Sequence, residues 1–305
     1  MSDVPDEIRR LARLRDEARA RRDFGAADAL RAQIRSQGFE VADTPAGPEL
    51  SGSPPGGSAA TPAAPRRRAA DVESVLDRPA TFDVSVHWIV EGWREDVARG
   101  IDSFAAGAPG RSVQHVVADV TAEARRWPDG VEVLELEPGT GWAEARNASL
   151  VRSLGEVVLV LDGSVEATGD VVGPLARALE DPVVGIAGPF GIVSDDLREF
   201  RESDGPRVDA IEAYLMALRR GLVVDGLRFD RKFAFYRSAD IELSFRVKSM
   251  GFDALVVPVP VRRHEHRMWS ATPQDVRERL SKRNFYRFLD VWRGREDLLE
   301  SRRKR

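Results

Sequence analysis

Two hydrophobic rhythms divide this chain. Up to residue 37 the apolar positions recur at helical spacing: Ile8, Leu11, Ala12 and Ala18 first, then Phe24, Ala27, Leu30 and Ile34. That pattern predicts two helices over 5–37, with Asp23 as N-cap of the second and Gly38 just past its end. From residue 82 onward short β-rich runs alternate with helical stretches. Strands are expected at Asp83–Val90, Val113–Ala118, Val131–Leu136 and from Gly155, with helical patterns following the first and the third. Such alternation argues for a parallel α/β sheet. The organising stretch is Gly155-Glu-Val-Val-Leu-Val-Leu-Asp-Gly-Ser164. Its apolar run does not alternate, so it reads as a strand buried on both faces in the middle of the sheet.

Between the two rhythms, residues 49–70 hold four prolines, three glycines, three serines and six alanines with no apolar period. The expected organisation is a helical hairpin at 1–48, a flexible Pro/Gly/Ala-rich linker at 49–80, and an α/β domain at 81–305 with a C-terminal helix. The hairpin is too small to be stable alone, so it must pack on something. Arg66, Arg67 and Arg68 read as a solvated linker end.

Composition removes several kinds of chemistry. The 305 residues include no cysteine, which excludes disulfides, thiolate catalysis and cysteine-bound zinc. The net charge is -4, without the basic field of a nucleic-acid protein, so nucleic acid is not an expected partner. The acidic N-terminus lacks an apolar core of a signal peptide, and no run approaches the roughly 20 residues that span a bilayer. A cytoplasmic location is expected.

Glu91, Asp119 and Asp162 each stand at the C-terminal end of an expected strand. That edge is where open α/β sheets bind ligands. Asp162 by itself could equally be a turn residue before Gly163 and Ser164. Gly139 and Gly141 match the start of a dinucleotide fingerprint, but position 144 is Glu144 and the preceding strand is short and charged.

Three further patterns narrow the reading. Gly141-Trp-Ala-Glu-Ala-Arg-Asn-Ala148 precedes the strand that ends in Asp162-Gly-Ser164. Ala213-Tyr-Leu-Met-Ala-Leu-Arg-Arg220 is followed by Phe229-Asp-Arg-Lys-Phe233. Ala239-Asp-Ile-Glu-Leu-Ser-Phe-Arg246 is followed by Gly251, Phe252, Pro258 and His264. In this order, and over about 82–292, they resemble family 2 glycosyltransferases. The resemblance implies a GT-A fold, a Rossmann-like α/β sandwich that binds a nucleotide-diphospho-sugar. It implies inverting, hexosyltransferase-type transfer to an acceptor hydroxyl, with manganese or magnesium held weakly. Asp240 would be the catalytic base. Glu91, Asp119, Arg146 and Asn147 would lie on the nucleotide. Asp162 and His264 would hold the metal or the diphosphate.

The residue types suit that chemistry independently: a metal on carboxylate oxygens can neutralise a departing diphosphate, and the acceptor hydroxyl needs a base. Two positions depart from the family pattern. Ser164 stands where the metal motif has its second aspartate, and Ala239 replaces the acid before the base. Hence a second reading, a catalytically weakened GT-A domain that binds nucleotide-sugars or acts as a scaffold. Read without the family, Asp240 and Glu242 are carboxylates near a helix N-terminus. His264 and His266, two apart, would share a face of an extended segment and form a two-histidine site, a diphosphate clamp or a basic edge with Arg262, Arg263 and Arg267.

The N-terminal segment has a resemblance of its own. Residues 21–31 and 36–47 are similar to the C-terminal helical piece of cysteinyl-tRNA synthetases, an accessory element in that family. A purely structural hairpin is preferred over tRNA contact. At the other end, Phe285, Phe288, Leu289 and Trp292 form an apolar stripe before the basic tail Ser301–Arg305. The structural reading is a domain-closing helix. The functional one is peripheral attraction to anionic lipid, useful for a lipid-linked glycan acceptor.

Overall fold

The computed structural model describes residues 4, 6–20, 27, 30–31, 33–34, 39–44, 47–52, 66–122 and 127–303. The chain forms two units, Met1–Ala63 and Ala64–Arg305.

In the first unit, helix α1 (Asp6–Ala20) precedes an antiparallel pair, β1 (Phe39–Thr44) and β2 (Gly47–Gly52). Ile8, Leu11 and Ala12 of α1 pack with Ile34, Phe39 and Val41. The expected apolar stripe is thus the buried one, while Phe24 lies outside the described residues. The β pair was not expected. Its second strand runs across residue 48: Phe39 and Val41 alternate into the core, and a period of two is a strand signal even in so short a run.

The second unit is built on β3 (Phe82–Val90), β4 (Val113–Asp119), β5 (Val131–Glu135) and β6 (Gly155–Leu161), all parallel. Val158 and Val160 of β6 enter one core, and Leu159 and Leu161 enter the other. Both faces are therefore dry, which is why the run is continuously apolar. The first core is closed by α3 (Trp142–Leu150), α6 (Ala239–Ser249) and α8 (Gln274–Trp292). The second is closed by α2 (Arg94–Gly107) and α4 (Val172–Glu180). Where β6 begins beside β3 the chain is tight: a Cβ at Gly155 would meet the backbone nitrogen of Ser85 at 2.2 Å.

Beyond β6 the sheet turns mixed: β11 (Arg207–Val208) forms its edge, β9 (Gly191–Ser194), β10 (Phe200–Ser203) and β12 (Ala210–Ile211) make a separate small sheet, and α5 is Arg220–Val224. Strand β13 (Leu215–Arg219) runs antiparallel to β6, with Leu215 opposite Leu161, and links it to β8 (Val184–Gly188) and β14 (Asp253–Val256). The start of β13 therefore lies at the carboxyl end of β6. A small pair, β7 (Val165–Ala167) with β15 (Val261–Arg263), brings the following residues back past Ser164.

The linker expected at 49–80 is shorter in structure. The Arg66 guanidinium donates to the Leu136 carbonyl at 3.0 Å, the Arg67 amide to the Glu135 carbonyl at 3.0 Å, and Val72 and Val75 are buried. The exposed edge of β5 has unpaired backbone groups, and residues 66–67 pair with them. Among the described residues no helix is long and apolar enough to cross a membrane.

Candidate active site

The carboxyl edge of the sheet collects the functional groups. Asp162 follows β6 directly, and its amide donates to the Tyr214 carbonyl at 3.1 Å, so β13 holds it in line. Its Oδ1 accepts from the Ser164 amide at 2.8 Å and the Ser164 hydroxyl at 2.5 Å. Its Oδ2 lies 3.2 Å from Nε2 of His266. His266 Nδ1 accepts the Trp269 amide at 3.1 Å, capping α7 (Arg267–Ala271), so Nε2 carries the proton given to Asp162. Burial works against the Asp162 charge, but His266 and Ser164 overcome it and hold the carboxyl down at about 2. Burial likewise opposes charge on His266, and the hydrogen bond to Asp162 outweighs it and raises the imidazole.

Asp240 sits in the first turn of α6, just after Ser238, whose φ of 65° places it in the left-handed region. Its Oδ2 accepts the Ala213 amide at 3.1 Å and its Oδ1 the Ile241 amide at 2.9 Å. Burial pushes this carboxyl upward. Asp162 and Asp240 line one cavity of 190 Å³, together with Glu212, Tyr214, Tyr236 and His266. The ring of Tyr236 stacks on His266 with centroids 4.6 Å apart, and Tyr214 meets the same imidazole edge-on. A second, smaller hollow on the other side of Asp162 and His266 is lined by Glu91, Trp93, Asp96 and Ser164. Burial raises Glu91 to about 7, against the pull of Arg146.

The structure brings Asp162, Asp240, Glu91 and, at the end of β4, Asp119 to this edge, and it occupies the side chains of Arg146, Asn147 and His264 elsewhere. Asp119 is buried, with Oδ1 accepting the Thr121 amide and hydroxyl at 2.8 and 2.7 Å. Arg146 is 1% exposed, and its guanidinium donates to the carbonyls of His87 at 3.1 Å and Leu161 at 2.8 Å. It ties β3 to β6 beneath Asp162. Asn147 clamps the backbone of Phe229, donating to its carbonyl and accepting its amide, both at 2.9 Å. His264 faces Glu166, 2.6 Å from its Oε2, and the imidazole beside Asp162 is that of His266. The reason is register: His264 continues β15, its amide bonding to the Ser164 carbonyl at 2.7 Å, and the chain has left the strand before His266. The His-x-His spacing contained this signal. Glu212, Tyr214 and Tyr236 carried none, because a strand's reversal brings them in.

Residues 113–243 match the model described as Glycosyl transferase family 2. The matched segment is a family 2 glycosyltransferase sequence. It contains Asp119, Arg146, Asn147, Asp162 and Asp240 and stops before both histidines. Among curated proteins, none matches the chain significantly. Among solved structures, the second unit's fold is similar to GalNAc-T7, solved with UDP, GalNAc and Mn2+, at a TM-score of 0.55 and 16% identity, over 71% of this chain and 50% of that one. The architecture is the GT-A glycosyltransferase fold. Two weaker similarities support no further statement. They are a mannosyltransferase from Pyrobaculum calidifontis with GDP-Man and Mn2+ (TM-score 0.46, 20% identity, 65% of this chain and 62% of that one) and S. aureus TarS (0.47, 14%, 60% and 37%). The chain therefore spans less than two thirds of the length of each of these proteins.

Proposed function

We propose that this protein transfers a sugar from a nucleotide-diphosphate donor to an acceptor hydroxyl, with inversion. The observation that carries the reading is that Asp162 and Asp240, from separate elements, line one cavity at the carboxyl edge of a GT-A sheet. The acceptor oxygen forms a bond to the anomeric carbon as the bond to the diphosphate oxygen breaks. The electron pair leaves with the diphosphate, and the acceptor proton goes to Asp240. Burial, by raising the Asp240 carboxyl, moves it toward the range in which a base takes up a proton effectively. The backbone amides of Ala213 and Ile241 keep it oriented.

A divalent cation suits the donor set in a limited way. Asp162 offers one carboxylate, His266 can add Nε2 only by releasing the proton it gives to Asp162, and Ser164 adds only a hydroxyl; among the described residues no third His, Asp or Glu completes a cluster. Asp162 and His266 would thus hold manganese or magnesium weakly, with diphosphate oxygens filling the remaining positions. Such a cation, when bound, supplies positive charge to the leaving diphosphate. Glu91 and the hollow beside it lie on the side left for the nucleotide.

The test is a purified Asp240→Asn variant, whose amide keeps the shape and an acceptor for the Ala213 amide. Transfer should fall by about 10²- to 10⁴-fold, with nucleotide-sugar binding retained. Transfer at the wild-type rate would remove Asp240 as base. The second reading, a nucleotide-sugar-binding scaffold, draws on Ser164 and on an Asp162 whose oxygens already accept three hydrogen bonds. Thermal shifts with UDP- and GDP-sugars, with and without manganese, and donor hydrolysis in the same samples separate the two. Metal-dependent stabilisation with turnover supports the enzyme, and stabilisation without turnover supports the scaffold.

A further inference from the structure

Glu212 differs from the two aspartates of the site. Asp162 accepts three hydrogen bonds, and Asp240 accepts two. The Glu212 side chain has no hydrogen-bond or ion-pair partner among the described residues, although it is half-buried and lines the cavity. Its backbone is fixed on both sides: its own amide bonds to the Phe190 carbonyl at 2.8 Å, and the next amide, of Ala213, bonds to Asp240. The carboxyl is therefore held beside the proposed base on a rigid segment, with its full accepting capacity unused. Burying a polar group without a partner is unfavourable, so such a group at a cavity wall points to a ligand that donates to it.

The surroundings define that ligand. Trp142, Tyr214 and Tyr236 give the same cavity aromatic walls, on which the C–H face of a sugar ring can lie. Asp162, Glu202 and Asp240 add three more carboxylates, against Arg237 and the imidazole of His266. Ionised carboxylates only accept hydrogen bonds, and a group of four repels a phosphate. The unmet requirement is for hydroxyl donors on an uncharged ring. Burial, and after it the Asp240 charge, raise the Glu212 carboxyl to about 7, against the pull of Arg263 and Arg237.

We propose that Glu212 is an acceptor-binding, specificity-determining residue: its carboxyl receives a second hydroxyl of the acceptor sugar, next to the hydroxyl that Asp240 deprotonates, and thereby selects a neutral sugar over a phosphorylated one. This rests on the transferase reading above. The pairing of Glu212 with Asp240 is a geometric consequence of consecutive residues, Glu212 facing the cavity and Ala213 anchoring the base.

The test uses the full chain, with UDP-glucose, UDP-GalNAc and GDP-mannose as donors and methyl glucoside, methyl galactoside and methyl mannoside as acceptors. Glucose 6-phosphate is the charged comparison. Nucleotide release is followed with and without acceptor. A neutral glycoside should accelerate release by the wild type more than the phosphate does. In Glu212→Gln the acceptor KM should rise about 10- to 100-fold, the range expected for loss of a hydrogen bond to a charged group. The nucleotide-induced thermal shift should be unchanged, and the preference for neutral over phosphorylated acceptor should narrow. Glu212→Asp, which keeps the charge with shorter reach, should recover part of the KM. Three results overturn the proposal: an unchanged KM in Glu212→Gln, loss of the nucleotide shift in that variant, or a wild type that responds to nucleotides but to no neutral glycoside. A wild type that responds to no nucleotide at all instead removes the transferase reading itself.

Discussion

Arg146 is the sharpest point at which a family-derived role and the structure make different demands. The resemblance assigns it to the nucleotide. In the structure its guanidinium is buried and donates to two strand carbonyls, of His87 and Leu161. Burial lowers it to about 10, opposed by the charges of Asp162 and Glu91, so it remains a cation at neutral pH. Replacing it with methionine keeps length and removes the donors. Each orphaned buried carbonyl costs about 1–3 kcal/mol, and the two acids lose a counter-charge. Against this, the burial cost of the cation disappears. Removing one partner of a buried ionic arrangement typically destabilises by roughly 3–5 kcal/mol, and that is the expected loss. For a domain of this size, about 2–4 °C per kcal/mol converts this to a melting temperature lower by roughly 6–20 °C. Calorimetry on Arg146→Met and Arg146→Lys checks it. Lysine, a point charge, should recover only part, because it cannot serve both carbonyls in a fixed fork. Nucleotide affinity, measured well below the transition, should change less than threefold. A methionine variant that melts within about 2 °C of wild type and loses tenfold or more in nucleotide affinity would refute the reasoning and return Arg146 to the nucleotide.

Two other outcomes follow from buried charges. Lys248 is 1% exposed and bonds to Asp209 at 3.2 Å and Glu300 at 2.7 Å, pinning the C-terminal segment; Lys248→Met should destabilise by about 3–5 kcal/mol, seen as a lower urea midpoint, and an unchanged midpoint refutes the role. Glu91 is raised from its ordinary value to about 7, so the folded state binds more protons than the unfolded state between roughly pH 4.5 and 7, and stability falls as pH rises through that window. Glu91→Gln should therefore stabilise by about 1–3 kcal/mol above pH 7 and make little difference below pH 4.5; equal effects at both ends refute the assignment.

Much of the fold was legible because the relevant signals are local. The continuous run at 155–161 could only be a doubly buried strand, and Val158, Leu159, Val160 and Leu161 are all fully buried. The helical stripe of Ile8, Leu11 and Ala12 likewise becomes the core face of α1. The pair at 39–52 was lost for a local reason too: its alternation is short and is interrupted by Asp43, Pro45 and Gly47, residues that read as loop. The site divides in the same way. Asp162 and Asp240 could be picked out because each begins where an element ends or starts. The choice between His264 and His266 depended on where β15 stops, and a period of two cannot tell which of two same-face residues reaches a given neighbour.

The sequence by itself therefore determined the parallel core, its dry central strand, the edge at which ligands collect and the two aspartates there. Periodicity and strand ends are written in consecutive residues. The tertiary structure alone decided the company those aspartates keep. Because β13 runs antiparallel to β6, its first residues meet the last ones of β6, and Tyr214 and Glu212 reach the cavity of Asp162 from 50 or more positions away. Because β15 folds back on β7, His266 arrives from farther still. Because α3 lies against the sheet, Arg146 and Asn147 spend their side chains on backbone groups of His87, Leu161 and Phe229. Strand direction and helix packing are properties of pairs of distant segments, and no window along the chain contains them.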